Sequence, residues 1–493
     1  MSNELLIETG PHETRVAILE EGRVVELHIE RATEPGIVGN IYKGRVSRVV
    51  PAIQAAFVDI GLERDAFLFA GDPQHSEPID LATEESREQR RPEHQPIAER
   101  IKEGESLLVQ TVKEPLPGKG ARISMQISLP GKFLVLLPGA SGVGISRRIS
   151  APAERQRLEE LLEEMVPEGH GVIVRTAGIG KGQEEFRRDL DWLSGTWKQI
   201  QTRSVGVASP GQVSREMGLA KRAVRDLLNE SYSAVWVEGA TAHAAIERYL
   251  GEVDQEKVDR LRLFESGDSL FEFRGVDRAI AEGMRTRIWL NSGGFIVINP
   301  TEALVAIDVN SGRNIEGSEL EATALTTNLE AAEEVARQIR LRDLAGIIVV
   351  DFIDMIEAAN RAELVARFET ALTRDRTRTQ ISQMSDFGLI AVTRKRTRGG
   401  LRQRLTQVCP CCSGEGRVKD PITVGLELER ALRRRSGVEN CRGLKVRLHP
   451  QMKKALEGRQ SGLLTAIRES VGGQLDVEAE EDLGFDEFEI DTR

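Results

Sequence analysis

Two aspartates, Asp308 and Asp351, each end an apolar, β-branched stretch at residues 303–307 and 347–350. Short runs of this kind predict buried strands, and an aspartate at the end of a strand lies at the rim of a sheet. Residues 318–343 lack Gly and Pro and have helix-like apolar spacing. The sequence therefore predicts a parallel strand–helix–strand unit, which carries both strand ends to one rim.

Neighbouring carboxylates repel each other unless a cation lies between them, and Mg²⁺ prefers such oxygen ligands. Asn310 stands two positions after Asp308 and adds an amide to the same rim. The pattern predicts a magnesium site formed by Asp308 and Asp351. The alternative is that each aspartate only caps the loop or helix that follows it.

The length of 493 residues predicts three or more compact units. Hydrophobic content of 40% and charged content of 29% are typical of a soluble globular protein. No apolar run approaches the roughly 20 residues that cross a bilayer, and no secretory signal is visible at the start. Three of four cysteines cluster at positions 409, 411 and 412, which disfavours a secreted disulfide framework and makes the cytoplasm the expected location.

The distribution of charge favours a nucleic-acid partner although the net charge is −11. Residues 476–493 contain nine acidic side chains and one basic side chain, so this stretch alone contributes −8. Residues 374–404 contain nine basic side chains and two acidic ones. A local basic field of this kind can hold a phosphate backbone, although a solvated helix face explains part of it. We expect the acidic stretch to form the outer face of a small C-terminal domain.

Residues 39–125 consist of short, Gly-punctuated strands with aromatics, which predicts a small barrel. The pattern places its last strand at 106–113 and an exposed loop or hairpin insertion at 71–100. Elsewhere the predictions are a β-rich start at 1–35, mixed strands and a charged helix at 126–215, helices at 216–285, an α/β unit at 286–400 and a small α+β unit at 417–493.

Phe57 and Phe67 lie on adjacent predicted strands of this barrel, and Lys113 and Lys119 follow near a Gly-flanked loop. On barrels of the OB type, aromatic side chains stack on unpaired bases while lysines follow the phosphates. Stacking contributes about 1–3 kcal/mol per base, so two rings would add substantially to the free energy of RNA binding. The alternative is that both phenylalanines belong to the barrel core.

Cys409 and Cys412 have the spacing with which two thiolates hold one Zn²⁺. Structural zinc needs four ligands, Cys441 stands alone and His449 has no partner, so we predict a zinc shared between two copies of the chain. Cys411 could replace one of the pair. A redox pair and the zinc repeat of chaperone cofactors are alternatives, but the following Ser-Gly-Glu-Gly is a poor helix start and the motif occurs once.

Arg175 and Thr176 end an apolar run in a Gly-punctuated turn. A guanidinium and a hydroxyl are suited to a terminal phosphate, because guanidinium binds phosphate oxygens through two parallel hydrogen bonds. Most arginines in such turns are exposed and structural, and this remains the alternative.

Five segments together resemble the bacterial ribonuclease E/G family, in order and spacing and over essentially the whole chain. The segments are Asp-Val-Asn-Ser-Gly at 308–312, Asp-Phe-Ile-Asp-Met at 351–355, Arg-Leu-Arg-Asp-Leu at 340–344, Arg-Thr-Ala-Gly at 175–178 and Cys-Pro-x-Cys at 409–412. The chain stops after its small domain, so it is more similar to the ribonuclease G branch than to the ribonuclease E branch, which carries a long C-terminal scaffold.

The resemblance implies an α/β multidomain fold in which an S1 (OB-type) barrel is inserted in an RNase H-like subdomain. The implied parts are the RNase H-like subdomain at 1–38 and 216–285, the S1 RNA-binding domain at 39–125, a 5′-sensor at 126–215, a DNase I-like catalytic subdomain at 286–400, a zinc link at 401–416 and a small domain at 417–493. The segment at 71–100 would enlarge the S1 domain.

The resemblance also implies roles for individual residues. Asp308 and Asp351 would hold Mg²⁺, with Asn310 supporting the metal or the scissile phosphate. The remaining implied residues are Gly131, Val135, Arg175, Thr176 and Arg378 for a 5′-monophosphate, Phe57, Phe67 and Lys119 for RNA on the barrel, and Cys409 and Cys412 for the zinc link. Cys411 departs from the family pattern, where a basic residue is usual.

Together these observations predict a Mg²⁺-dependent endoribonuclease that cleaves single-stranded, A/U-rich RNA, prefers a 5′-monophosphate and leaves 5′-phosphate and 3′-hydroxyl ends. The resemblance adds rRNA 5′-end maturation and mRNA turnover, hence rRNA precursors and mRNA as substrates, and a zinc-linked homodimer that could pair into a tetramer. The alternatives are a non-catalytic S1 RNA-binding protein and a metal-dependent DNA nuclease or phosphoesterase.

Overall fold

A computed structural model describes residues 3–69, 96–115, 118–312, 320–385, 387–396, 399–412, 414–436, 443–458, 461–471 and 474–492. Contacts divide the chain into two compact units, Met1–Leu401 and Arg402–Arg493. The first unit holds four of the five described sheets, so the several cores predicted from chain length lie mostly within it. Among the helices in these ranges, none is both long and apolar enough to cross a membrane.

The strands of the first unit are β1 Asn3–Thr9, β2 Glu13–Glu20, β3 Arg23–Arg31, β4 Ile41–Val50, β5 Ala55–Asp59, β6 Ala66–Phe69, β7 Ser106–Lys113, β8 Arg122–Ser124, β9 Leu129–Pro130, β10 Leu134–Pro138, β11 Gly142–Ile145, β12 His170–Val174, β13 Gly211–Ser214, β14 Tyr232–Glu238, β15 Leu261–Phe264, β16 Arg287–Trp289, β17 Phe295–Pro300, β18 Leu304–Asn310, β19 Gly346–Asp351, β20 Thr379–Ile381 and β21 Leu389–Arg394. The second unit adds β22 Gly443–Leu448, β23 Gln474–Ala479 and β24 Phe488–Thr492. The α-helices are Ile97–Arg100, Pro152–Glu163, Gln183–Gly206, Leu219–Leu227, Ala240–Val253, Leu270–Phe273, Val276–Gly283, Leu320–Leu341, Ala358–Leu372, Leu401–Leu405, Pro421–Ser436, Pro450–Glu457 and Ser461–Val471.

The first sheet joins the start of the chain to a segment more than 200 residues later. Its order is β15-β14-β1-β2-β3, and β14 pairs with β1 in parallel. The β-rich start is thus confirmed, while β14 was not anticipated, because only helices were predicted at 216–285. Strands from the predicted segments 1–38 and 216–285 therefore share one sheet, and the subdomain boundaries themselves stay predictions.

The predicted small barrel is confirmed as a closed ring of five strands, β4-β5-β6-β8-β7, in which β7 also pairs with β4. Its last strand was predicted wrongly, because β8 follows 106–113 and lies between β6 and β7. β8 has only three residues, which are too few to show a periodic apolar pattern in the sequence. Part of the predicted loop at 71–100 is instead the helix Ile97–Arg100, whose Ile97 is buried in the barrel core. Residues 70–95 lie outside the described residues.

The third sheet, β11-β12-β10-β9, packs against two helices. The helix Pro152–Glu163 agrees with the predicted charged helix. The longer helix Gln183–Gly206 was missed, because its buried face consists of few apolar residues separated by charged ones. Phe186 of this helix contacts Phe133, in the turn between β9 and β10, in an edge-to-face arrangement with ring centres 6.3 Å apart.

The sheet that carries the aspartates has the order β16-β17-β18-β19-β21-β20. The helices Leu320–Leu341 and Ala358–Leu372 cover one of its faces and form a core with Ile307, Val350 and their neighbours. The predicted strand–helix–strand unit is confirmed, since β18 and β19 run parallel and the helix Leu320–Leu341 connects them.

The second unit packs helices on the sheet β23-β22-β24. The acidic C-terminal stretch folds with the small unit, with residues 476–479 in β23, residues 488–492 in β24 and residues 480–487 between these strands. Its carboxylates pair with lysine and arginine of β22, for example Glu478 with Lys445 at 2.6 Å and Glu489 with Arg447 at 2.7 Å.

Candidate functional site

Asp308 and Asp351 are directly opposite each other on the parallel strands β18 and β19. Adjacent strands lie about 4.8 Å apart, so the two side chains project side by side. Both aspartates are exposed. Burial, together with the charges of Asp308 and Asp354, raises the pKa of the Asp351 carboxyl. The site thus gathers negative charge that a bound cation would offset.

The alternation of side chains along the strands explains why these polar groups face outward. Ile307 and Val309 point into the core, and so do Ile348 and Val350, which leaves Asp308 and Asp351 on the uncovered face. The Asn310 amide also lies on this face and donates to Asp308 Oδ2 at 2.7 Å. If Asp308 only capped a loop or helix, its carboxylate would accept a hydrogen bond from a backbone N–H group. The hydrogen bond that it accepts here comes from the side-chain amide of Asn310.

These donors fit Mg²⁺, which commonly binds one or two carboxylates and fills its remaining positions with water and substrate phosphate. Among the described residues, no group of three or more His, Cys, Asp or Glu side chains is arranged to hold a metal ion. Two carboxylates alone leave coordination positions for a phosphate oxygen, as a catalytic site requires.

The structure places Phe57 and Phe67 on the outer face of the barrel, directly opposite each other on β5 and β6. Their ring centres are 5.9 Å apart in an edge-to-face arrangement, and both side chains are half-buried. The core is built instead from the alternating Ala56, Val58 and Leu68. The alternative that both phenylalanines are core residues is therefore wrong.

Positive side chains continue this aromatic surface around the barrel. Arg122 of β8 is in register with both Phe67 and Lys113, and the Arg48 guanidinium lies 5.0 Å from the Phe57 ring centre. Lys113 and Lys119 are exposed. Arg48 and Arg122 were not singled out from the sequence, because only the register shows which strand positions share a face.

Lys119 is held in a tight loop just before β8. The adjacent Gly120 packs so closely that a Cβ atom there would lie 1.9 Å from the carbonyl oxygen of Asp65. Only glycine fits at position 120. Because Gly120 is held against Asp65, it sets the position from which the neighbouring Lys119 side chain projects.

Arg175 follows β12, and its guanidinium joins two separate segments. One nitrogen donates to the carbonyl oxygen of Gly131, and Nη2 lies 2.7 Å from Oδ1 of Asp226. The structure thus brings Arg175 and Gly131 together. Thr176 is exposed in the short turn Thr176–Gly178, and Val135 is half-buried on the adjacent strand β10.

Arg378 is exposed just before β20, in a segment that contacts the loop after β11. Nη2 of Arg148 in that loop donates to the carbonyl oxygen of Arg376 at 2.7 Å. Because β11 and β12 are parallel neighbours, this loop and Arg175 leave the same end of the sheet. Arg378 is therefore brought to the side of the molecule that carries Arg175, through a contact that the sequence did not reveal.

Cys409 and Cys412 lie in the second unit, where Cys409 and Cys411 are exposed and Cys412 is half-buried. Backbone hydrogen bonds from Cys412 and Cys411, and the Cys412 side chain, lower the pKa of the Cys409 thiol. The Gly416 N–H donates to Cys412 Sγ at 3.3 Å. The surroundings of the Cys409 sulfur thus favour thiolate, the form that binds zinc. Cys441 lies outside the described residues.

Some residues of the site region were missed from sequence. Asp354 contributes to the raised pKa of Asp351, and Asp226 pairs with Arg175. Asp354 could have been recognised from its position three residues after Asp351. Nothing local in the sequence links Asp226 to Arg175, because the two are 51 residues apart.

The described molecule is therefore a multidomain α/β protein that combines a closed five-stranded barrel with a pair of carboxylates on a separate sheet. Residues 128–397, more than half of the chain, match the model of the ribonuclease E/G family. The chain belongs to the ribonuclease E/G family.

Its similarity to individual members extends over the full length. It is 38% identical over 491 residues to Ribonuclease G of Escherichia coli (strain K12), covering 99% of both chains. It is 37% identical over 489 residues to Ribonuclease G of Haemophilus influenzae, again covering 99% of each. It is 36% identical over 442 residues to Ribonuclease E of Escherichia coli (strain K12), covering 89% of this chain and 41% of that one. The resemblance inferred from the sequence motifs is thus confirmed.

Proposed function

We propose that this protein is an endoribonuclease that cleaves single-stranded RNA at the site formed by Asp308, Asn310 and Asp351. Membership of the ribonuclease E/G family supports the activity and a role in RNA processing. The observation that carries the position of the site is the register of β18 and β19, which sets the two carboxylates side by side on an uncovered face.

Asp308 and Asp351 would hold Mg²⁺, which supplies a Lewis acid beside the scissile phosphate when it is bound. The Asn310 amide orients Asp308 by its hydrogen bond at 2.7 Å. Because water rather than the ribose 2′-hydroxyl attacks in this kind of hydrolysis, the products would carry 5′-phosphate and 3′-hydroxyl ends.

The barrel would hold the RNA strand through its outer face. The rings of Phe57 and Phe67 offer stacking surfaces, and Lys113 and Lys119 offer exposed cations for the backbone. Stacking tolerates every base, so the preference would be loose and would favour flexible, A/U-rich single strands.

A 5′-monophosphate would bind where Arg175, Thr176 and Gly131 meet, with Val135 and Arg378 completing the site. The supporting observations are the guanidinium of Arg175 beside Gly131, the exposed hydroxyl-bearing turn at Thr176 and the exposed cation of Arg378. Occupation of this site would stimulate cleavage by holding the substrate in place.

Zinc would link two copies of the chain through Cys409 and Cys412 of each. Two thiolates per chain would provide half of a tetrahedral site, and the lowered pKa of the Cys409 thiol supports this role. Maturation of rRNA 5′ ends and turnover of mRNA are the roles we propose for such an enzyme, and these substrates imply a cytoplasmic location.

The test is the change of Asp308 to alanine, with Asp351→Ala as a parallel variant. Each should reduce cleavage of a 5′-phosphorylated, fluorescent single-stranded RNA at least about 100-fold in Mg²⁺, since even the loss of an outer partner of a metal ligand typically reduces activity about 10–100-fold. EDTA should abolish wild-type cleavage. The control is Asp191→Ala, which removes an exposed aspartate from the helix Gln183–Gly206 and should leave the rate unchanged.

Persistence of the wild-type rate in Asp308→Ala would remove the metal-site assignment and favour a non-catalytic RNA-binding role for the barrel. Equal cleavage of single-stranded DNA and RNA of the same sequence would instead favour a DNA-directed nuclease. Melting temperatures of the variants confirm that any loss of rate is not a loss of folding.

A further inference from the structure

An exposed aromatic surface lies on the same sheet as the aspartates. We define the aromatic strip as Arg287 and Trp289 of β16 with Phe295 of β17. The Trp289 side chain is 64% exposed, and its ring centre lies 5.2 Å from that of Phe295 in an edge-to-face contact. The Arg287 guanidinium lies 4.4 Å from the Phe295 ring centre. Neither aromatic residue belongs to the core of this sheet.

The strand register shows that the aromatic strip continues directly into the carboxylate site. Trp289 is opposite Phe295 and Phe295 is opposite Asn310. Residues opposite each other on neighbouring strands share a face of the sheet, so both rings lie on the face that carries Asp308 and Asp351. Diagonal neighbours on one face are about 7–8 Å apart, which places Phe295 within that distance of Asp308.

The packing of the fold does not account for this surface. Side chains that alternate with the strip, such as Ile296 and Val309, fill the core beneath the helices, whereas Trp289 faces away from it. Single exposed apolar residues are common and need no explanation. Two rings and a guanidinium in contact, in register with a catalytic carboxylate pair, form a grouped surface instead.

We propose that the aromatic strip stacks an unpaired base of the RNA next to the bond that is cleaved, and so helps to choose the cleavage position. This inference rests on the proposed function of Asp308 and Asp351. Aromatic faces bind bases of any identity, and the Arg287 cation adds attraction for the adjoining phosphate. The strip is separate from the rings of Phe57 and Phe67, which belong to the barrel.

An RNA base fits the strip better than a protein partner because the surface is small and continues into the acidic site. Arg287 is opposite Val297, which is itself opposite Asp308, so this cation lies two strands from the carboxylate on the same face, where it would contact the phosphate of an RNA strand bound across the strip. The strip would therefore contact the base about one nucleotide from the scissile phosphate.

The decisive experiment tests whether the Trp289 ring and one base of the RNA contribute to binding through the same contact. A set of 5′-phosphorylated single-stranded RNAs carries one abasic nucleotide at each position around the cleavage site, and KM and kcat are measured for each. In the wild type, an abasic nucleotide at one position within two of the cleaved bond should raise KM about fivefold or more. In Trp289→Ala the same substitution should change KM less than twofold, because the ring that the base contacts is already absent.

The matched control is Phe273→Ala. Phe273 is 65% exposed and contacts the Phe264 ring with centres 5.6 Å apart, but it lies on a short helix that packs with the first sheet. This variant should reproduce the wild-type abasic profile. Trp289→Leu, which keeps apolar bulk without a π face, replaces the alanine variant if that variant melts at a lower temperature.

A second readout does not depend on cleavage. In EDTA, single-stranded RNA should quench the fluorescence of the exposed Trp289, and Trp289→Phe should abolish most of this quenching while the other three tryptophans remain. Unchanged quenching in that variant overturns the proposal, and so does an abasic penalty that is equal in the wild type and Trp289→Ala. If Trp289→Ala halves the mass measured by light scattering, the strip is an interface between copies and the proposal is likewise overturned.

The two proposals fail in different ways. If the wild type cleaves RNA and Asp308→Ala does not, an unaltered abasic profile in Trp289→Ala refutes only the stacking role. If the wild type cleaves no RNA, the catalytic proposal fails, and the quenching titration still decides whether the strip binds a base.

Discussion

At the scale of single residues, Arg175 shows how a side chain proposed to bind phosphate is already engaged within the protein. Its guanidinium contacts Asp226, which also accepts two hydrogen bonds at 3.0 Å from Arg225. Burial acts to raise the pKa of Asp226, but the two arginines outweigh it and the pKa is lowered. Asp226 is therefore ionised at neutral pH and competes with a phosphate for Arg175.

Arg175→Ala should reduce cleavage of 5′-monophosphorylated RNA about 10-fold or more and change cleavage of 5′-hydroxyl RNA little, because a guanidinium–phosphate contact is a strong, charge-assisted one. Asp226→Asn should act in the opposite direction and lower KM for the monophosphorylated RNA roughly threefold, since a competing charge is removed. Paired kinetics on the two RNAs measure both effects. An equal loss on both substrates in Arg175→Ala would exclude the 5′-phosphate role.

At the scale of elements, the turn between β9 and β10 is held by groups from two helices. The Asp189 carboxylate of the helix Gln183–Gly206 accepts the backbone N–H groups of Lys132, Phe133 and Leu134 at 2.9, 2.8 and 2.8 Å. The buried Lys132 ammonium donates to carbonyl oxygens at the end of the helix Leu219–Leu227, at 3.1 Å to that of Val224. These contacts position Gly131, whose carbonyl oxygen accepts a hydrogen bond from the Arg175 guanidinium.

Lys132 predicts a specific dependence of stability on pH. Burial lowers its pKa from 10.5 to about 8, with Asp254 opposing and Arg175 adding to the shift. Between these two pH values the unfolded chain binds more protons at this lysine than the folded chain, so folding becomes more favourable as pH rises. The free energy of unfolding of the wild type should therefore increase relative to Lys132→Met by up to about 3 kcal/mol from pH 8 to pH 10.5.

Denaturant unfolding of both proteins at a series of pH values measures this difference. Comparison with the methionine variant cancels the titration of other groups that both proteins share. Curves that stay parallel over the whole range would mean that Lys132 titrates normally in the folded protein.

At the scale of the whole molecule, we propose that two copies of the chain share one structural zinc. Cys409 and Cys412 are two of the four ligands that a tetrahedral site needs, and they lie in the second compact unit. In the dimer that we propose, a second copy of the chain would complete the set. Cys411 is exposed beside them. Substitution of the individual cysteines would show which thiols bind zinc.

The combined change of Cys409→Ser and Cys412→Ser should lower zinc content and oligomer mass together, from about one zinc per two chains to none, because serine is a poor zinc ligand. Metal analysis and light scattering on the same samples measure both. Cys411→Ser is the matched control and should retain zinc and mass. A double variant that remains dimeric at low concentration would show that the interface does not need the metal.

Much of the sheet that carries the two aspartates was predictable because its signal is local. The apolar, β-branched runs before Asp308 and Asp351 predict two strands, and the uninterrupted helical stretch between them implies a parallel pair. Those two features were sufficient to place the carboxylates on one rim. The motifs at 308–312 and 351–355 likewise indicated the family that the full-length similarity establishes.

The missed features depend on contacts between residues far apart in the chain. No local pattern in the sequence reveals these features. They are the short closing strand β8, the pairing of β14 with β1 and the contact of Arg175 with Asp226. Trp289 and Phe295 stand six residues apart around a turn, and only the register of β16, β17 and β18 shows that they adjoin Asn310.

The amino-acid sequence by itself determined the strands that carry Asp308 and Asp351 and the polar groups that end them, because apolar, β-branched runs are a local signal. The tertiary structure alone decided which outward-facing side chains are neighbours. Pairing and register are set by the packing of whole sheets and helices, and a change of one residue in register would turn Asp308 or Phe295 to the opposite face.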